Sequence, residues 1–189
     1  MRNTVCHLST ACVIALAGLT LATGVHAQAP AGGVSPVVEK PTYINIPLEI
    51  PVNRSAADVW KRVGGYCAIS EWLQIAAGCK ILSGNGEVGT VRSVGNEILV
   101  AKTEYSYTYT QPVRADRPYN LYHGTLEVRP LTPTTSKIYY TLLLDNSMLP
   151  DDATREKDRA ARVATFTRAL NNMKTLAEGG VLAPPASKP

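Results

Sequence analysis

Over residues 79–146 the chain is a succession of short segments in which apolar residues fall at every second position, and a single long segment with a helical period follows. A period of two collects apolar side chains on one face, so each segment is a half-buried strand that needs a partner layer. The segments are CKILSG, GTVRSV, EILVAK, YSYTYT, LYHGTLEVRPL and SKIYYTLLLD, separated by Asn85-Gly86, Gly95-Asn96 and breaks near Pro118 and Pro133. Strands this short, joined by turn dipeptides, predict an antiparallel meander. The long segment opens at Pro150-Asp151-Asp152, with acids at the positive end of a helix dipole, runs to Glu178 and stops at Gly179-Gly180. Its Val163, Phe166, Leu170, Met173 and Ala177 recur at three- and four-residue spacing, so one stripe of the helix faces the sheet.

Upstream, residues 43–51 (YINIPLEIP) alternate at Ile44, Ile46, Leu48 and Ile50. Pro47 and Pro51 cannot donate to a ladder, which places this strand at an edge or near a bend. Ser55 with Asp58 three residues on starts a short helix that Gly64-Gly65 ends. A second short helix is expected over residues 70–77, ending at Gly78. The order is strand, two short helices, six strands, one long helix. A curved sheet can wrap such a helix and leave a pocket between the sheet and the helices.

Strand phase sorts the side chains. Tyr105, Tyr107 and Tyr109 share one face of YSYTYT and are expected inward. In the next strand Tyr122, Gly124, Leu126 and Val128 point inward, leaving His123, Thr125, Glu127 and Arg129 outward. In the last strand Ile138, Tyr140, Leu142 and Leu144 point inward, and Lys137, Tyr139, Thr141 and Asp145 outward. A cavity lined by Tyr105, Tyr107, Tyr109, Tyr122 and Tyr140 would join large apolar rings to hydroxyls that need partners when buried. The alternative is that these rings simply fill the core. Phe166, Leu170 and Met173 carry the same pair of readings. Trp72 is placed at the pocket mouth, while Trp60 reads as packing. Arg92 is the one strand cation that could sit inside, where it would need Glu97, Glu104 or an anionic ligand group. Val91 and Ser93 compete for its inward position, and the expectation is an outward, solvated Arg92.

The ends of the chain have other compositions. Residues 1–27 read as a cleavable export signal, with Arg2, a short apolar run over residues 11–22, and a cleavage site after Ala27. The run is interrupted by Gly18 and Thr20 and is shorter than the roughly 20 residues of a spanning helix, so no stable membrane anchor is expected. Residues 28–41 read as a flexible linker, 42–180 as one domain and 181–189 as a disordered tail. A periplasmic or secreted protein follows from the leader. Of 19 Lys and Arg against 15 Asp and Glu, the leader carries only Arg2, so the charge falls from +4 to +3. The basic residues are scattered, which gives no nucleic-acid footprint.

The leader also takes two of the four cysteines, leaving Cys67 and Cys79, and two of the three histidines, leaving His123. In an oxidising compartment a Cys67–Cys79 disulfide is the preferred reading; a reactive thiol or two buried free thiols are the alternatives. One histidine and no CxxC pair give no metal site. No glycine-rich phosphate loop, nucleophile elbow or cofactor motif is present, and no cofactor is expected.

With the order of elements in hand, the text VNRSAADVWKRVGGYCAISEWL at the short helices, GTVR, YSYTYT, YHGTLEV and the closing amphipathic helix resemble the START-like, polyketide cyclase/dehydrase and lipid-transport (SRPBCC) superfamily, which includes the birch-pollen-allergen-like proteins. The resemblance spans the domain. It implies an α+β helix-grip fold, with a seven-stranded antiparallel sheet around the C-terminal helix and an internal cavity for a lipid, sterol, polyketide or other apolar small molecule. The leading functional expectation is an exported binding or carrier protein for such a ligand. The alternatives are a cyclase- or hydrolase-type enzyme using pocket Tyr, Glu97, Glu104 or Arg92, and an envelope interaction module with a filled core. An outward His123 argues against a histidine-dependent reaction.

Overall fold

A computed structural model describes residue 38 and residues 40–184. The expected leader, most of the linker and the end of the tail lie outside the described residues. Strand β1 (Tyr43–Val52) is followed by helices α1 (Ala56–Val63) and α2 (Ile69–Trp72). Then come β2 (Ile81–Ser83), β3 (Val91–Arg92), β4 (Glu97–Thr103), β5 (Ser106–Thr110), β6 (Asn120–Thr132), β7 (Thr135–Asp145) and helix α3 (Asp152–Ala177). The seven strands form one antiparallel sheet in the order β1-β7-β6-β5-β4-β3-β2. The meander is unbroken, and β1 closes its far end against β7 as an edge strand, where Pro47 and Pro51 are tolerated.

Helix α1 starts where Ser55 Oγ accepts the Asp58 amide at 3.2 Å, and it ends at Gly64, whose N–H donates to the Trp60 carbonyl at 2.8 Å. A Cβ on Gly64 would lie 2.3 Å from the Trp60 ring, so a glycine here lets the indole fold back over the helix end. Helix α2 is one turn long, shorter than expected. Gln74 takes a left-handed conformation (φ 54°) and stops the helix before Gly78 can. A disulfide joins Cys67, between the two helices, to Cys79, before β2, with the Cα atoms 5.3 Å apart.

Helix α3 begins at Asp151, whose carboxylate accepts the Thr154 amide at 2.7 Å. Phe166, Ala169, Leu170, Met173, Leu176 and Ala177 are its buried residues. They pack on the inward rows of the sheet, including Ile46, Leu126, Ile138, Tyr140, Leu142 and Leu144. Polar anchors hold this half in place. Lys174 donates to the Pro51 carbonyl at 2.8 Å, the Asn53 amide to Glu178 at 2.9 Å, and Asn172 to the Trp72 carbonyl at 2.9 Å. Residues 152–165 bury no side chain to the same degree.

The inward and outward rows of β6 and β7 follow the expected phase as far as Leu144. Asp145 departs from it and is fully buried instead of outward. Its carboxylate accepts the amides of Thr42 (2.7 Å) and Ser147 (3.0 Å), which ties the chain entering β1 to the chain leaving β7. Among the described residues no helix is long and apolar enough to cross a membrane.

Candidate functional site

The inward face of β5 carries Tyr107 and Tyr109, which meet Leu126 and Gly124 on β6. Tyr109 fits only because residue 124 has no side chain: a Cβ there would lie 2.3 Å from Tyr109 Cζ and 2.4 Å from its Oη. The ring extends across Gly124, and its hydroxyl shares a 2.7 Å hydrogen bond with that of Tyr140. Tyr140 stacks on Phe166 (centroids 4.6 Å apart) and meets the edge of Trp72 (5.9 Å). Tyr122 lies 6.2 Å from Tyr109 and 5.2 Å from Tyr119. Burial pushes the hydroxyls of Tyr107, Tyr109, Tyr122 and Tyr140 above the ordinary tyrosine value, so they are neutral donors and acceptors and not phenolates.

Arg92 corrects the sequence expectation. It is fully buried and points inward. The β3–β4 hairpin pairs it with Glu97, and cross-strand partners share a face. Ser93 instead stays exposed, where its hydroxyl accepts the Lys80 amide. Arg92 Nε donates to Glu97 Oε2 at 2.6 Å, and Nη1 donates to the Tyr66 carbonyl. Its Nη2 lies 2.5 Å from the same Glu97 oxygen but outside hydrogen-bonding geometry, so this nitrogen has close charge contact without a directed bond. The guanidinium lies over the rings of Tyr66 (4.3 Å) and Tyr109 (4.6 Å). Glu97 also accepts from Gln111 at 2.8 Å, and Gln111 accepts from Tyr119 at 2.7 Å.

The two partners respond to burial differently. Burial opposes the charge on Arg92, but the adjoining Glu97 carboxylate keeps the guanidinium charged. Burial lifts the Glu97 carboxyl above its usual range against the pull of Arg92 and Gln111. The geometry favours the ionised pair, because a neutral Glu97 would leave the guanidinium uncompensated in the core.

Beside this network lies a half-open cavity of about 340 Å³, lined by Trp60, Lys61, Gly64, Gly65, Tyr66, Gly86, Leu99, Lys102 and Tyr107. Tyr66 and Tyr107 are its inner aromatic wall, and Arg92 supports Tyr66 from behind. Tyr107 is 3 % exposed, and its hydroxyl has no hydrogen-bond partner among the described residues. A larger hollow of about 490 Å³ runs along α1, α2 and the chain after α3. Its polar groups are engaged with each other, Arg62 with Glu71 and Gln74 with the Ala183 carbonyl, so it offers less to a ligand. A third, of about 410 Å³, lies on the outer sheet face at Thr108, His123, Thr125 and Thr141.

Of the candidate residues, Tyr107 lines the 340 Å³ cavity. Tyr109, Tyr122, Tyr140, Phe166, Leu170 and Met173 meet in the packed core. Trp72 is fully buried against Tyr140 and does not stand at a mouth; Trp60 is the tryptophan at the cavity. Tyr105 leaves the expected inward row. The β4–β5 hairpin pairs Thr103 with Ser106, so Glu104 and Tyr105 form its two-residue turn, and Tyr105 is half-buried there. Glu104 is exposed. Sequence reasoning missed Tyr66, Leu99, Lys61 and Lys102. Only the Arg92–Glu97 pairing had a local signal, the Gly95-Asn96 turn between them. Among the described residues no group of three or more His, Cys, Asp or Glu is placed to hold a metal ion.

The family described as polyketide cyclase / dehydrase and lipid transport matches residues 44–178. Among curated proteins there is no match. Solved structures match in fold. One is a solution NMR structure from Thermobifida fusca, with TM-score 0.57 and 21 % identity over 74 % of this chain and 97 % of that one. Another is the ZhuI aromatase/cyclase from Streptomyces sp. R1128, with TM-score 0.56 and 16 % identity over 74 % and 100 %. A third is truncated norcoclaurine synthase from Thalictrum flavum, with TM-score 0.56 and 15 % identity over 75 % and 97 %.

Proposed function

Because the chain belongs to the polyketide cyclase/dehydrase and lipid-transport family, we propose that it is an exported protein that binds or carries a mostly apolar small molecule in the cavity beside α1. The cavity carries this reading. It offers about 340 Å³ walled by Trp60, Tyr66, Leu99 and Tyr107, next to a core otherwise filled by packed rings. That volume is at the small end for ligand pockets and suits a compound of one or a few rings better than a whole membrane lipid. Export is supported by the leader-like residues 1–27 and by the Cys67–Cys79 bridge, which persists in an oxidising compartment.

Binding is favoured over turnover because, among the described residues, no carboxylate or imidazole lines the cavity, whose titratable groups are lysines and tyrosines. A general acid or base must reach the reacting atoms. Glu97 is 2 % exposed and engaged by Arg92 and Gln111, and His123 is on the outer sheet face. The test combines two measurements. Native mass spectrometry of the protein purified from its own compartment identifies any co-purifying molecule. Titration with the neutral fluorophore N-phenyl-1-naphthylamine, read by its own emission, then locates the site through variants. Binding is expected to survive Trp72→Phe and to weaken strongly in Trp60→Ala, which removes a cavity wall. No bound molecule and no fluorophore binding would overturn the reading.

A further inference from the structure

The polar groups around this cavity are of one kind. The side chains on its rim that carry charge are Lys61 and Lys102, and no carboxylate lines it. Lys102 is held in place by Glu87 at 2.7 Å and by the Gly86 carbonyl at 3.1 Å, so its charge is partly answered. Lys61 has no ion-pair partner among the described residues. Its neighbour Arg62 leaves the cavity and pairs with Glu71 on the far side of α1. Deeper in, Trp60, Tyr66, Leu99 and the Tyr107 ring supply apolar surface. An ammonium at the mouth of an apolar slot complements an organic anion whose charged end stays near water while its body is buried. A neutral ligand would leave that arrangement unused, and a cationic one would be repelled by both lysines.

We propose that the ligand is a ring-bearing carboxylic acid whose ring lies against Trp60, Tyr66 and Leu99 and whose carboxylate is received by Lys61. The proposal rests on the cavity being the binding site and adds the chemical class and the residue that selects it. Lys61 is then the specificity-determining residue, and Lys102, whose charge is answered by Glu87, does not select the ligand.

The experiment compares two probes of one shape, 2-naphthoate and 2-naphthylmethanol, by calorimetric titration of the mature chain at low and high salt. The acid should bind roughly fivefold more tightly at low salt, the range expected for one partly exposed ion pair. Added salt should erase the difference. Lys61→Met should bring the acid down to the affinity of the alcohol and leave the alcohol unchanged, whereas Lys157→Met, on the exposed face of α3, should alter neither. Equal binding of both probes, or an acid preference that survives Lys61→Met, overturns the acid assignment while leaving the cavity as the binding site. Binding of neither probe overturns both.

Discussion

Replacing Gly124 by Ala tests whether the interior is as closely packed as the tyrosine geometry requires. The new Cβ would lie 2.3, 2.4 and 2.6 Å from Cζ, Oη and Cε1 of Tyr109, whereas ordinary contact begins near 3.4 Å. The ring would have to retreat by about 1 Å, the difference between those separations. It has no room to do so: Tyr109 is fully buried, its hydroxyl is bonded to Tyr140, and the Arg92 guanidinium lies 4.6 Å from its centroid. Overpacking costs about 1–3 kcal/mol, and loss of the hydroxyl bond adds about 1 kcal/mol. Against this, Ala in place of Gly within a strand returns roughly 0.5–1 kcal/mol of backbone entropy. The balance is a destabilisation of roughly 2 kcal/mol, read as a lower midpoint in urea with an unchanged slope. The double variant Gly124→Ala/Tyr109→Ala should be no less stable than Tyr109→Ala alone, since the clash is gone. A Gly124→Ala protein as stable as the parent, or strictly additive effects in the cycle, would refute the packing argument.

Other outcomes follow from the polar core and the anchors. Arg92→Met and Glu97→Gln should each destabilise by about 3 kcal/mol, because each breaks a buried pair and leaves its partner uncompensated; urea unfolding of Arg92→Met/Glu97→Gln should show less than the summed loss, and full additivity would count against a coupled pair. Reducing the disulfide, or Cys67→Ser with Cys79→Ser, should lower stability by about 2–3 kcal/mol for a loop this short, measured by thermal unfolding with and without reductant. The backbone N–H of Asn53, and then Lys174, holds Glu178 below the usual carboxylate range. Its contribution is therefore present above the unfolded value of about 4.3 and is lost as pH falls through the lower folded value. The stability gap between the parent and Glu178→Gln should accordingly be present at neutral pH and close in acid; a gap independent of pH would refute the assignment.

The sheet was legible because its strands are half-buried, so period two is written directly into residues such as Tyr122, Leu126 and Val128. The edge position of β1 was legible from Pro47 and Pro51. What failed depended on chain geometry at strand ends. Tyr105 has the right phase but falls in a two-residue turn, and Asp145 breaks phase because the chain bends back to Thr42. Arg92 was misplaced because strand phase left Val91 and Ser93 competing for its inward position, and the hairpin register that sets Arg92 against Glu97 decides it. The cavity was assigned to the tyrosine row because a ring that lines a space and a ring that fills one have the same sequence. Trp60 and Trp72 exchanged roles for a related reason, since the fold-back of Trp60 over Gly64 and the early stop at Gln74 are both backbone events.

Helix α3 has an uneven footing. Its C-terminal half is buried and tied to Pro51, Asn53 and Trp72, while residues 152–165 bury nothing fully and meet the rest of the protein mainly through partly covered contacts such as Arg162 over Tyr119. Local opening follows the number of buried apolar contacts that must be broken, so this helix will fray from its start and not from its end. Structure within one helix is then divided into a slow-exchanging root and a fast-exchanging outer arm. The sheet's inner face can be exposed from the Tyr119 and Tyr122 side without global unfolding, while the Cys67–Cys79 staple holds the short helices to the start of β2 and the Arg92–Glu97 pair holds the β3–β4 hairpin.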